Sequence, residues 1–435
     1  MVELGKRIVG NLLVSVGGKA VSGALAVASV AFTTRALGAE AFGEYTLALV
    51  LLYVFSVFGS FGLDALLTRE ISQQDADEKK VIEQIFFARF TLLFVFFAAG
   101  IGIVFLMPYS AGVKLGVAVA SVGALCFSLA QLLTGVFQKY LRTDVPAASE
   151  VAVRVVQLAL SWYLWTIGGG LFAFLSVFVL GGVIQLVFVY WWASVRTGFR
   201  FRAHAEGVRE VMKKGWPLAA SAVLTLVYFR GDTIILSLMH SARDVGIYGV
   251  AYKVLEHAIF IPIAFAGLVM PLLSRFALTD AARFKAVFQK GFDFLAILAF
   301  PFAAGGIFVA PDIVRLLAGG EFREAVLPLQ ILFVAIVFIF FGALLGNALV
   351  AVNRQHELMW VYGGAAGLNI LANLYFIARY SYVGAAWVTA ATELLVSFFM
   401  LVLLARAVGA VPSPRVALKA LGATAEMLLV LSLAP

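Results

Sequence analysis

Cysteine, histidine and charge are all scarce in this chain. One cysteine, Cys126, excludes an intrachain disulfide and a thiolate zinc cluster, and four histidines without ligand spacing add no metal site. Charged residues make up 13% of the 435, against about 25% in soluble domains. Enzyme signatures are missing as well: there is no P-loop, no nucleotide-binding glycine loop and no HExxH. A lipid-linked glycosyltransferase or polymerase needs a sizeable extramembrane loop with paired carboxylates. The longest connectors, Asp64 to Val81, Arg196 to Gly215 and Pro311 to Ala325, are too short for one. No catalytic residue, cofactor or nucleic-acid partner is therefore expected.

Apolar sequence fills the space instead. The chain is 63% hydrophobic and holds 39 phenylalanines. Runs of about 20 apolar residues, each able to cross a hydrocarbon core of about 30 Å, recur along its length. The reading is an all-α polytopic membrane protein with spans at 10–36, 42–63, 82–107, 112–138, 146–167 and 170–195, then at 215–240, 246–275, 284–310, 326–351, 356–378 and 383–406. These make an N-lobe over 1–195, a connector over 196–214 and a C-lobe over 215–408. A segment at 409–435 leaves open a thirteenth span over 416–433, interrupted by Lys419 and Glu426. The first run is too long for a signal sequence and lacks a cleavage site, so it is expected to be retained.

Net charge is +8 and resides mainly in the loops. Alternate loops beginning with the N-terminus hold most of the Lys and Arg, which predicts a cytoplasmic N-terminus in the cell membrane. The six-span halves then share one orientation, and a short repeat supports their kinship. FGEY at Phe42 to Tyr45 returns as VGIY at Val245 to Tyr248, an offset that carries Ser22 to Thr225 and Ser29 to Asp232. Pseudo-twofold symmetry between the halves is the expectation.

Polar side chains inside the spans are the candidate functional residues. Ser15, Lys19, Ser22, Ser29 and Thr33 form one stripe on the first span, and Ser221, Thr225, Tyr228 and Asp232 form one on the seventh. Ionised lysine in hydrocarbon costs roughly 3 kcal/mol or more, so Lys19 calls for water, ligand or polar protein. Ser22, Arg89, Arg154, Arg230 and Lys253 join it as candidates for a cationic substrate site. Lys290, close to a cytoplasmic end, can lift its charge to the interface. Asp232, Glu256, His257, Asp293 and Glu393 are candidates for coupling, because a carboxylate or imidazole at depth can change protonation with its surroundings. Structural alternatives stand beside these: Glu150 and Arg154 can pair within the fifth span, Lys253, Glu256 and His257 can form a local network, and Asn369 with Asn373 can serve helix packing. Arg230 and Asp232, two residues apart, cannot share a face of a straight helix.

RALGAEAFGEYTLALV, FGLDALLTREIS, GDTIILSLM followed by VGIYGVAYKV, and APDIVRLLAGGEF together resemble the Wzx-type polysaccharide/oligosaccharide flippase family of the multidrug/oligosaccharidyl-lipid/polysaccharide exporter superfamily. That resemblance implies two six-helix lobes, a cavity lined by the first, second, seventh and eighth spans, and alternating access. The implied cargo is a polyprenyl-phosphate- or diphosphate-linked saccharide carried from the inner to the outer leaflet. Membrane lipids and glycan assembly proteins are the other partners to expect, with the protein itself a monomer and coupling to a cation or proton gradient allowed. Alternatives are a lipid-linked peptidoglycan precursor flippase, a multidrug or cation antiporter, whose cavity should be acidic, and a non-transporting scaffold for glycan assembly.

Overall fold

Long apolar helices broken at single residues set the architecture. The computed structural model describes residues 2–73, 77–140, 142–203, 208–277, 279–409 and 411–433; side chains are described from Gly17 onward, with gaps in 209–228. Ser15, Ser221, Thr225 and Tyr228 lie outside the described side chains. Helix α1, Val2–Ser60, breaks at Gly38, whose φ of 69° is a conformation that favours glycine. The break falls inside the turn TTRALGAEAFGEY and divides α1 into the two expected spans. Phe61 and Gly62 both take positive φ, and the chain then enters the short helix α2, Leu63–Ile71. One face of α2 buries Leu63, Leu66, Leu67 and Ile71, while Asp64 begins it and Arg69 ends it, the order that suits the helix dipole.

Three helices follow with legible starts and stops. Helix α3, Glu78–Leu106, is capped by Asp77, which accepts from Lys80 N at 3.1 Å. Helix α4, Ala111–Lys139, is capped by Ser110, which accepts from Val113 N at 3.2 Å. Helix α5 covers Asp144–Thr166, and α6, Leu171–Thr197, stops at Gly198 with φ 68°. Then come α7 (Val208–Met239), α8 (Ala242–Ala277) and α9 (Ala281–Ala318). A 3₁₀ turn at Gly320–Ala325 leads to α10, Val326–Ala351. Helix α11, Gln355–Val408, breaks at Ser381 (φ 49°) into the eleventh and twelfth spans, and α12 is Arg415–Leu433.

Among the described residues, nine segments are long and apolar enough to cross a membrane, α12 with its 19 residues included. Helix α5 is not one of them, because Glu150, Arg154 and Gln157 interrupt its apolar run. The chain packs as two compact units, Met1–Arg230 and Gly231–Pro435, with the boundary inside α7. In the first unit α1 meets α3, α4 and α5, and α4 meets α6. Backbones come close at Gly123 and Gly182, where a Cβ on Gly182 would lie 2.5 Å from the Gly123 carbonyl oxygen; small residues permit such approach between apolar helices. The start of the connector belongs to this unit too. Phe199 is fully buried against Phe86 and Tyr190, and Arg200 N donates to Glu83 at 3.2 Å. In the second unit α10 is central, touching α8, α9 and α11, while α12 lies on α9.

Candidate functional site

A polar corner forms in the first unit where α1 crosses α5. Close contact is possible because Gly18 faces Ala147: a Cβ on Gly18 would stand 3.0 Å from the alanine Cβ. One turn further along α1, Ser22 is buried and its hydroxyl donates to Glu150 Oε1 at 2.7 Å. Lys19, three residues earlier and so on the same side of the helix, is exposed within the unit. Glu150 turns to Ser22 and Arg154 donates instead to Gln157 Oε1 at 3.0 Å, so the ion pair allowed between Glu150 and Arg154 is not formed. Arg154 Nε is buried without a hydrogen-bond partner. Ser29 Oγ, further along the α1 stripe, is in the same condition, whereas Thr33 donates to the Ser29 carbonyl at 2.8 Å.

Two other expected site cations in this unit sit elsewhere. The guanidinium of Arg230 lies over the ring of Tyr53, 5.5 Å from its centroid, a geometry that attracts a cation to the aromatic face. Arg89 is a correction to the cavity-lining expectation. It is 2% exposed and donates to Ser60 O (2.6 Å), Ser128 Oγ (3.0 Å) and Asp64 (3.5 Å), joining α1, α2 and α4. Its position inside an apolar span identified a cation at depth. Only packing reveals that the charge is consumed internally.

The second unit arranges its polar groups differently. Asp232 is 4% exposed; one carboxylate oxygen accepts from Thr233 N at 2.6 Å and the other from the Tyr248 hydroxyl at 2.5 Å. Asn369 and Asn373 are buried together, Asn373 donating to Asn369 at 2.8 Å and Asn369 to Thr392 Oγ1 at 3.1 Å. Asn373 Oδ1 is left buried without a partner. Lys253 pairs with Glu256 at 2.8 Å, and His257 Nδ1 contacts the Lys253 carbonyl oxygen at 2.7 Å, so these three do form one cluster. Asp293 accepts from Gln289 at 2.7 Å, and Gln289 also holds Ser413 ahead of α12. Glu393 lies within electrostatic reach of Tyr362. Sequence reasoning missed Tyr248 and Thr392 as partners. Tyr248 was nevertheless visible as the last residue of the repeated VGIY.

The sequence model of the family described as "Polysaccharide biosynthesis protein" matches residues 32–327, more than half of the chain. This chain belongs to that family. A curated Shigella flexneri protein, named "Putative O-antigen transporter", is 24% identical to this family member over 398 residues, covering 87% of this chain and 93% of its own. Among solved structures, the lipid II flippase MurJ in an inward closed conformation aligns with a TM-score of 0.77 at 14% identity, over 97% of this chain and 92% of MurJ. An inward-facing multidrug resistance transporter of the MATE family, in the MOP superfamily, aligns at 0.69 and 12% identity over 89% and 95%. At these identities the likeness is one of fold: this polysaccharide biosynthesis protein has the all-helical fold of the MOP superfamily.

Proposed function

We propose that the protein is a flippase that carries a polyprenyl-phosphate- or diphosphate-linked saccharide from the inner to the outer leaflet of the cell membrane by alternating access. The observation that carries this reading is its membership of a polysaccharide biosynthesis family, together with likeness to a named O-antigen transporter over nearly the full length of both. Physical chemistry agrees. A lipid-linked saccharide presents one strongly anionic group and many hydroxyls, and the α1–α5 corner supplies an exposed lysine beside hydrogen-bonding Ser22, Glu150, Arg154 and Gln157. Lys19 takes the anion in this proposal. The test is leaflet exchange of a fluorescent polyprenyl-diphosphate-linked oligosaccharide in vesicles containing the purified protein. No exchange above protein-free vesicles would refute the reading.

The orientation proposed with it places the N-terminus and the connector in the cytoplasm. Maleimide labelling of Arg200→Cys from outside intact cells, in a Cys126→Ala background, would reverse it. Asp232 is the proposed coupling group, since its carboxylate is shielded from water and Asn373 Oδ1, buried in the same unit, has an unused acceptor. A carboxylate at depth can change protonation with the access state. Asp232→Asn should abolish the dependence of flipping on a pH or sodium gradient while gradient-free exchange continues; retained gradient dependence would remove Asp232 from this role.

A further inference from the structure

Between α2 and α4 lies an open cleft of about 660 Å³, within the roughly 300–1,000 Å³ of small-molecule sites. Of the ten residues lining it, only Ala65 and Gly135 lack a polar side-chain group. The others include two rows. Asp64, Thr68 and Ser72 repeat every four residues at α2, and Gln131, Thr134 and Gln138 repeat at three and four along α4, so each row holds one helix face. The rows approach across Gly135, where a Cβ would stand 2.6 Å from Thr68 Oγ1. A hydroxyl that donates to its own helix still accepts through its lone pairs; Thr68, Ser72 and Thr134 all do this, to Asp64 O, Thr68 O and Gln131 O. Gln131 and Gln138 are exposed and bring both donors and acceptors.

Asp64 gives the cleft its fixed point. Its side chain is 42% exposed on the cleft side, while the buried Arg89 guanidinium braces it from behind at 3.5 Å. Arg89 is itself anchored to Ser60 O and Ser128. The remaining cation in the lining, Arg69, already meets Glu70 at 3.0 Å.

We infer that this cleft is a sugar-binding subsite that holds the hydroxyls of the saccharide at the loading face. A fixed carboxylate opposite amides suits neighbouring hydroxyls, which both donate and accept. Ala65, Gly135 and the methylene stems of the glutamines suit the C–H faces of a sugar ring. Phosphate fits poorly, because Asp64 repels it and Arg69 is engaged by Glu70. The inference rests on the flippase reading and its orientation, which place α2 and Gln138 on the cytoplasmic side.

Protection of single cysteines tests it in the full-length protein. Gln138→Cys and, as a control outside the cleft, Lys80→Cys are made with Cys126→Ala and labelled with a soluble maleimide. The probes are the lipid-free oligosaccharide released from the lipid-linked preparation, sugar-free polyprenyl diphosphate, and inorganic phosphate. Millimolar oligosaccharide should slow labelling at 138 at least fivefold and leave position 80 unchanged, with neither other probe protecting. No protection by oligosaccharide, or equal protection by phosphate or sugar-free lipid, overturns the proposal. As a second measurement, Gln131→Leu with Gln138→Leu should raise the half-saturating concentration of lipid-linked substrate about tenfold with the maximal rate nearly kept. Unchanged saturation overturns the subsite while the flippase reading stands. Protection in a protein that moves no lipid would keep the subsite and refute transport.

Discussion

The two units bury polarity by different means. The first takes one whole cation inside beside a buried carboxylate, Glu83, and a buried amide, Gln157: Arg89 is 2% exposed, while half-buried Arg154 hides its Nε, each guanidinium held by hydroxyl, amide, carbonyl or carboxylate groups of this unit. The second buries neutral amides, Asn369 and Asn373, and one carboxylate whose charge is met by a phenol and a backbone N–H. Both also keep a cation in partial contact with solvent, Lys19 in one and Lys253 in the other. A buried guanidinium loses strongly if a partner is removed, whereas a buried amide network forfeits single neutral hydrogen bonds. Removing a polar partner should therefore cost the first unit more stability than the second.

Arg89→Met should give the largest effect, because it removes the contacts to Ser60, Ser128 and Asp64 at once. A destabilisation of about 3 kcal/mol is expected, read as a fall in thermal midpoint of the purified protein. Asn373→Leu in the second unit should lose less than half of that. Equal losses from the two variants would erase the contrast between the units.

Lys19→Gln should come next, and in function alone. Loss of a charge-assisted contact worth roughly 1.5–3 kcal/mol lowers flipping by about tenfold or more, with the thermal midpoint unchanged and Lys19→Arg retaining part of the rate. Normal flipping by a stable Lys19→Gln protein would leave the α1–α5 corner without a substrate role.

Ser22→Ala sharpens the comparison on a smaller scale. It removes the hydrogen bond to Glu150 and should destabilise by about 1 kcal/mol, visible as a modest drop in thermal midpoint. A drop as large as that of Arg89→Met would mean that the corner, and not Arg89, anchors the unit.

The smallest effect belongs to Asp144, which precedes the fifth span. Hydrogen bonds from the Arg142 guanidinium hold its carboxyl below the usual carboxylate range. A depressed folded value means the contribution is present above the unfolded pKa of about 3.9 and lost as pH falls through the lower, folded value. Both partners are about half exposed, so water screens the pair. Asp144→Asn should leave the midpoint at pH 7 unchanged within error and only slightly flatten the acid limb of stability.

Legibility followed periodicity. Apolar runs, the turn around Gly38 and the connector after Thr197 could be read from the order of residues, because helix length and left-handed glycine are local matters. The stripe on α1 was legible for the same reason, since residues three and four apart share a helix face whatever surrounds it. The partners of that stripe were not. Ser22 and Glu150 are 128 positions apart, and no local rule brings them to 2.7 Å.

Arg89 marks the boundary between the two kinds of information. Its depth in an apolar run, and hence its need for polar company, is a property of sequence and hydrocarbon alone. Whether that company is a ligand or Ser60, Asp64 and Ser128 depends on which helices pack against α3. Composition and periodicity determined that this chain spans a membrane, where its helices lie and which polar residues they carry inward. Tertiary packing decided which of those charges are spent on the fold and which remain exposed, because electrostatic and hydrogen-bond energies depend on distances that side chains reach only once distant segments meet.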